Sequence, residues 1–141
     1  KIGVMGFSAG AHLAALASNC YDELSYLPID MHDQMPICPN FALIIYPGFL
    51  DGDNFTVAPE IEVSKDTCPT FIVQTQDDHK LLNSSLFYYY ALKEAKAPVA
   101  MHLYPTGYHG YGVRDTGHLV NEWPLRAMDW MRDKIIVKNE K

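Results

Sequence analysis

Residues 1–16, KIGVMGFSAGAHLAAL, predict a short apolar strand, a sharp turn and an alanine-rich helix in immediate succession. We place the strand at residues 2–7 and the helix at residues 9–19. The turn between them, residues 6–10, has the pattern G-x-S-x-G, which between a strand and a helix is typical of a nucleophile elbow. Such a turn holds its serine on a strained backbone with the hydroxyl clear of the sheet, so Ser8 is the candidate nucleophile.

The residues around Ser8 are small, as an elbow requires. Gly6 and Gly10 lack a Cβ, which we expect to let the strand and the helix approach each other closely. Ala9 follows the serine at the predicted helix N-terminus, where backbone N–H groups have no partner inside the helix. Its amide is therefore a candidate donor to the oxyanion of a tetrahedral intermediate. The alternative is a serine that only caps an ordinary helix.

The composition bounds the class of protein. The chain has 141 residues, which suits a single domain with its own hydrophobic core. Its net charge is −6, without a lysine or arginine cluster, which argues against nucleic acid and anionic membrane surfaces as partners. No apolar run approaches the roughly 20 residues that a membrane span requires. The sequence does not indicate a cellular compartment.

The cysteines and histidines do not predict a metal or a cofactor. Cys20, Cys38 and Cys68 show neither a C-x-x-C pattern nor a disulfide framework, which indicates buried or incidental thiols. A single Cys20–Cys38 bridge stays open as an alternative. No histidine pair has the H-x-x-x-H or H-E-x-x-H spacing of zinc ligands, and no G-x-G-x-x-G fingerprint is present. We expect chemistry that needs no cofactor.

Beyond the elbow, strands and helices alternate. Apolar runs predict three further strands, at residues 41–46, 70–75 and 99–104. The run at 41–46 is continuously apolar, which is typical of a strand buried on both faces of a parallel sheet. Helices and a glycine-rich loop complete the pattern, with helices at 82–95 and 122–136 and the loop at 105–118. This alternation predicts an α/β fold with a mostly parallel sheet and flanking helices.

Groups suited to serine chemistry follow three of the predicted strands. Ser8 follows the first, Asp77 and Asp78 follow the third, and His109 lies in the loop after the fourth. In open α/β sheets such groups gather at the carboxyl ends of strands. The chain order Ser–Asp–His is that of α/β-hydrolases, so we expect His109 to be the general base for Ser8. Asp78 is the preferred carboxylate partner of the imidazole, with Asp77 as the alternative.

These segments resemble the α/β-hydrolase esterases of the acetyl-xylan-esterase and carbohydrate-esterase type, near the hormone-sensitive-lipase-like carboxylesterases. The resemblance rests on KIGVMGFSAGAHLAA, FALIIYPGFL, CPTFIVQTQDDHKLLNSSLFYYYALKEA and MHLYPTGYHGYGVR. It implies a catalytic triad made of Ser8, Asp78 and His109. It also implies oxyanion or substrate-binding positions, at Ala9, Gly6, Gly10 and Tyr108. Tyr108 departs from the family, because it stands where the second glycine of G-G-H-G is usual.

The resemblance covers only the C-terminal portion of the family's fold. Members carry a further N-terminal half with an H-G-G-G-type loop that supplies other oxyanion donors, and nothing in these residues matches it. We therefore expect residues 1–141 to be one α/β-hydrolase domain that is incomplete at its N-terminus, with the missing half as its partner. The nucleophile strand is then expected at a sheet edge, and the isolated chain is expected to be unstable or nearly inactive.

The implied function is that of a serine esterase that releases small acyl groups, acetyl above all, from carbohydrate or related esters. One alternative is a serine peptidase of the prolyl-oligopeptidase type, whose C-terminal domain has similar loops. The other is a non-catalytic fragment that acts as a binding or scaffold piece. A serine that reacts with an ester-like probe separates the last alternative from the first two.

Overall fold

The computed structural model describes residues 1–19, 26–35 and 37–136. Strands and helices alternate along the chain as β1 (Gly3–Phe7), α1 (Ala9–Ser18), β2 (Phe41–Ile45), β3 (Thr70–Thr75), α2 (Leu82–Glu94), β4 (Val99–Tyr104) and α3 (Trp123–Met131). Short 3₁₀ helices lie in the connections, at Met31–Gln34, Asp53–Phe55 and Leu119–Glu122. Within the described ranges, no helix combines the length and the apolar character needed to cross a membrane.

The strands form one parallel sheet in the order β1-β2-β3-β4. Gly6 in β1 pairs with Ile44 in β2, which in turn pairs with Ile72 in β3. Parallel neighbours need crossover connections, and the long connections between these strands provide them. The predicted α/β class and parallel sheet are confirmed, and the sheet brings the carboxyl ends of all four strands to one edge.

The two central strands are buried on both faces, which explains the continuous apolar sequence of β2 and the apolar centre of β3. Alternate residues of β2 and β3, with one set of side chains facing each layer, belong to two separate cores. One core packs the sheet against α1 and α2, through Ala42, Ile44, Ile72, Ala11, Tyr88 and Leu92. The other packs it against α3, through Leu43, Ile45, Phe71, Val73, Trp123 and Ala127. The sheet is therefore the middle layer of three.

The nucleophile strand β1 lies at one edge of the sheet, as predicted. Its apolar side chains are only partly covered by the described residues, since Met5 is 53% exposed. Ile2, just before the strand, is 80% exposed. An exposed strand edge of this kind presents backbone groups with which a further strand can pair.

Two predictions about local structure need correction. The helix predicted at residues 122–136 is α-helical only over Trp123–Met131 and continues as a π-helix over Arg132–Ile136. Cys68 is free and buried, as expected, but Cys38 is disulfide-bonded, so it is not an incidental thiol. Cys20, named above as the alternative partner of Cys38, lies outside the described residues.

Candidate active site

The elbow holds Ser8 in a strained backbone conformation between β1 and α1. Its dihedral angles are φ 53° and ψ −120°, and a positive φ is uncommon for a residue with a side chain. Backbone hydrogen bonds fix it there. The Ser8 N–H donates to the Ile45 carbonyl at 3.0 Å, and the Gly48 N–H donates to the Ser8 carbonyl at 3.3 Å. The strain is thus held by the end of β2.

Only one of the two elbow glycines is needed for close packing. A Cβ added to Gly6 would lie 2.0 Å from the carbonyl oxygen of Gly10, a distance that no side chain can accept. A Cβ added to Gly10 would meet no described atom within 4 Å apart from its chain neighbours and the backbone of its own helix. The expectation that Gly10 makes room by lacking a side chain is therefore wrong, because its backbone, not its Cα hydrogen, faces Gly6.

His109 bridges Ser8 and Asp78. Its Nε2 lies 2.8 Å from Ser8 Oγ, and its Nδ1 lies 2.7 Å from Asp78 Oδ2. The Asp78 side chain is 6% exposed, whereas the imidazole is 34% exposed. A buried carboxylate on Nδ1 keeps the proton on that nitrogen, which leaves Nε2 free to accept the serine proton. The three residues that the sequence singled out thus lie in the order that activates a serine.

The neighbouring carboxylate, Asp77, contacts the backbone and not the imidazole. Its Oδ2 accepts from the Gly107 N–H at 3.0 Å and its Oδ1 accepts from the Tyr108 N–H at 2.8 Å. Burial raises the pKa of Asp77, but hydrogen bonds, those from the Tyr108 and Gly107 amides foremost, outweigh it, so the net pKa lies below its usual range. Asp77 is therefore ionised at neutral pH and hydrogen-bonds to the backbone of the loop that carries His109.

The loop around His109 is an unusual run of backbone conformations. Gly107, Tyr108, Gly110 and Gly112 all have positive φ, at 149°, 57°, 76° and 58°. A Cβ on Gly107 would also lie 2.7 Å from a Val120 methyl and 2.9 Å from a Thr75 methyl. Glycine is required at position 107 both for its φ and for the close approach of β3.

Tyr46 is a site residue that sequence reasoning missed. Its ring lies edge-on to the His109 imidazole, with centroids 4.9 Å apart, and its hydroxyl accepts from the Gly112 N–H at 3.2 Å. Burial raises the pKa of the Tyr46 phenol, which therefore stays neutral. The available signal was its place at the carboxyl end of a buried strand, directly before Pro47-Gly48, where α/β sheets collect functional groups.

Exposed groups and an open surface cavity lie near Ser8 and His109. Ala9 is exposed, and because it is the first residue of α1 its N–H has no acceptor within the helix. The Tyr108 side chain is 67% exposed beside His109. An open cavity of about 400 Å³ lies alongside, lined by Phe7, Tyr46, Gly110, Gly112, Val113 and Arg114. Among the described residues, no cluster of three His, Cys, Asp or Glu side chains could hold a metal ion.

Comparison with known proteins identifies similar sequences but no family model that matches the chain. Endo-1,4-beta-xylanase B of Butyrivibrio fibrisolvens is 27% identical, over 80% of this chain and 21% of that protein. Acetylxylan esterase of Xylanibacter ruminicola is 26% identical, over 93% of this chain and 32% of that protein. The chain therefore spans a third or less of the length of these two relatives.

Solved structures show the same fold. The crystal structure of an acetyl ester-xyloside bifunctional hydrolase from Caldicellulosiruptor lactoaceticus matches with a TM-score of 0.81 and 27% identity, over 96% of this chain and 57% of that one. Further solved α/β-hydrolase and esterase structures, at 24% and 18% identity, share the fold alone. These findings confirm the resemblance to α/β-hydrolase esterases, and they show a fold that corresponds to part of an α/β hydrolase.

Proposed function

We propose that this chain carries the catalytic triad of a serine esterase that releases small acyl groups, acetyl in particular, from carbohydrate or related esters. The single observation that supports the reaction class best is the unbroken contact series from Ser8 through His109 to Asp78. Similarity to proteins named as ester hydrolases supports the ester bond as the target. We choose acetyl as the acyl group and a carbohydrate as the alcohol because the similar proteins are named an acetylxylan esterase and an acetyl ester-xyloside hydrolase.

In the proposed reaction, Ser8 Oγ attacks the ester carbonyl carbon while His109 Nε2 takes the hydroxyl proton. Asp78 keeps Nδ1 protonated and stabilises the imidazolium that forms. The Ala9 N–H donates to the oxyanion, and His109 then gives its proton to the departing alcohol. Water next attacks the acyl-serine with the same histidine as base, which releases the carboxylic acid and restores Ser8.

The oxyanion needs more than the Ala9 amide. Removal of one oxyanion donor typically lowers kcat by about 10²–10³-fold. We place the remaining donors in the part of the domain that the similar structures contain and this chain does not span, since the chain covers 57% of one such structure. The proposal therefore assigns the nucleophile, base and carboxylate to this chain and shares the oxyanion site with a further segment.

Fluorophosphonate labelling tests the reactive serine directly. We expect one adduct on the chain, located by peptide mapping to Ser8 and lost in Ser8→Ala. If the 141-residue chain is unreactive, the same labelling is repeated on the complete open reading frame that contains it. An intact, folded protein that gives no Ser8 adduct in either form would refute the triad and favour the non-catalytic alternative.

Substrate comparison tests the finer part of the proposal. We expect acetylated xylo-oligosaccharides and p-nitrophenyl acetate to be hydrolysed, and p-nitrophenyl esters of long acyl chains to be hydrolysed more slowly. Cleavage of a proline-containing peptide amide at a comparable kcat/KM would instead favour the peptidase alternative. The Ser8→Ala variant serves as the background for every substrate.

A further inference from the structure

We infer that Asp77 and Thr75 are positioning residues that clamp the peptide backbone next to His109 and thereby set where the imidazole lies between Ser8 and Asp78. The inference rests on the proposed function, since it concerns the placement of the base in that reaction. Asp77, the carboxylate of the Asp77-Asp78 pair that is not in the triad, thereby has a role of its own.

The clamp closes on both sides of one residue, Tyr108. Asp77 accepts the Gly107 and Tyr108 N–H groups on its two separate oxygens, at 3.0 Å and 2.8 Å. The Thr75 hydroxyl donates to the Tyr108 carbonyl at 2.6 Å. Hydrogen bonds to an ionised carboxylate are shorter and stronger than neutral ones. Both backbone polar groups of the residue before His109 are therefore fixed by side chains from the end of β3.

The backbone of this segment needs such a clamp. Tyr108 has φ 57°, a conformation that persists in a residue with a side chain only when the surroundings enforce it. The Tyr108 side chain does not enforce it, because 67% of its surface is exposed and its ring contact with His118 spans 6.3 Å between centroids. The enforcement falls to the backbone contacts with Asp77 and Thr75.

The two adjacent carboxylates thus hold His109 in two ways, one through the backbone and one through the ring. Asp77 holds the backbone leading into His109, and Asp78 holds its Nδ1 at 2.7 Å. Both aspartates follow the carboxyl end of β3, where the Asp78 N–H donates to the Thr75 carbonyl at 3.3 Å. A displacement of about 1 Å at a reacting group can lower a rate by about 10²-fold, so a loosened backbone is expected to reduce catalysis even when every triad residue is present.

The test compares matched substitutions at neighbouring positions. We expect Asp78→Asn to lower kcat by about 10⁴-fold, because it favours the wrong imidazole tautomer. Asp77→Ala is expected to lower kcat by about 10- to 100-fold with KM changed less than about twofold, because the base is misplaced but the binding surface remains. Asp77→Asn should recover much of that loss, since its amide oxygen still accepts an N–H bond, and Thr75→Val should give a smaller loss of the same kind.

The outcomes separate the clamp from a general loss of structure and from the proposed function. Activity of Asp77→Ala within twofold of the parent would overturn the clamp, as would a loss in Asp77→Asn as large as that in Asp78→Asn. Asp66→Ala, on an exposed side chain, is the control for a nonspecific effect. If Asp77→Ala does not fold, Asp77→Asn and Thr75→Val decide the matter by the same split between kcat and KM.

Amide hydrogen exchange provides a readout that does not depend on catalysis. We expect the Tyr108 amide to exchange about two- to fivefold faster in Asp77→Asn and Thr75→Val than in the parent, and to be unchanged in Asp78→Asn. Should the parent show no reactive Ser8, the proposed function fails and this measurement alone judges the clamp. Unchanged exchange of Tyr108 in both variants would overturn it.

Discussion

The elbow and the histidine loop meet at one 2.8 Å contact, between Ser8 Oγ and His109 Nε2, but they are held in different ways. The elbow is fixed chiefly by backbone groups, those of Ile45, Gly48 and Gly10, which crowd around residues 6–8. The histidine loop is fixed by side chains that reach it from other elements. The geometry of the elbow therefore depends on the absence of a Cβ at Gly6, whereas the geometry of the loop depends on the presence of the Asp77 and Thr75 side chains.

Side chains also reach the far end of the histidine loop. The Tyr46 hydroxyl accepts from the Gly112 N–H at 3.2 Å, and the Trp123 indole donates to the Gly112 carbonyl at 2.8 Å. Residue 112 is thus held like residue 108, through both of its backbone polar groups. The loop has no regular secondary structure between 105 and 118, so these contacts substitute for the ladder that a strand would have.

The largest effect is expected from a methyl group in the elbow. Gly6→Ala places a Cβ 2.0 Å from the Gly10 carbonyl oxygen, and the three atoms nearest to it are all backbone atoms of α1, which cannot move aside. We expect it to lower the free energy of unfolding by about 4 kcal/mol or more, as measured by urea denaturation. Gly10→Ala is the matched control and should stabilise by about 0.5–1 kcal/mol, because it places alanine in an open helical position. Equal midpoints for the two variants would contradict the packing described here.

A smaller effect is expected from the same change in the histidine loop. Gly107→Ala combines an unfavourable φ of 149° with a Cβ that lies 2.7 Å from a buried Val120 methyl, a less severe approach than the 2.0 Å to backbone at Gly6. We expect a loss of about 2–3 kcal/mol in the free energy of unfolding. Gly110→Ala, at φ 76° with open space around it, should lose only about 1–2 kcal/mol. If Gly107→Ala proves as damaging as Gly6→Ala, the loop is as rigid as the elbow and the distinction fails.

The same difference explains what could be predicted from the sequence. The elbow is local, so G-x-S-x-G between an apolar run and an alanine-rich helix was enough to place Ser8. The central strands could be predicted equally well, because burial on both faces leaves a continuous apolar run in Phe41–Ile45 and an apolar centre, Phe71 to Val73, in Thr70–Thr75. The parallel sheet then followed from the alternation of strands and helices, whereas the strand order β1-β2-β3-β4 was not predicted.

The structure of the histidine loop could be predicted from the sequence only in part. The distinction between Asp77 and Asp78 depends on how a loop some thirty residues further along folds back onto β3, and no local pattern encodes that. Tyr46 looked like one more residue of an apolar run, although the chain turns there to φ 38° and the ring meets His109. Gly10 showed the opposite error, since a glycine expected to be indispensable faces open space.

The smallest effect expected is a pH dependence confined to the histidine loop. Burial raises the pKa of Asp77 but its hydrogen bonds, those from the Tyr108 and Gly107 amides foremost, outweigh it, so the folded-state pKa lies below the ordinary value of 3.8. A group with a lowered pKa stabilises the folded state fully above its unfolded pKa and loses that contribution as the pH falls through the folded one. Protection of the Tyr108 amide should therefore decline below about pH 4, by less than about 1 kcal/mol because the carboxylate is partly exposed.

The elbow provides the internal control for that measurement. Its Ser8 amide is held by the Ile45 carbonyl, which does not titrate, so its protection, corrected for intrinsic exchange, should stay constant over the same acidic range while the chain remains folded. Asp77→Asn should abolish the pH dependence at Tyr108 and leave Ser8 unaffected. A parallel decline at both amides would mean that acid loosens the whole domain and that the two halves of the site are not held independently. A decline at Tyr108 that persists in Asp77→Asn would assign the titration to another group and remove the carboxylate from the clamp.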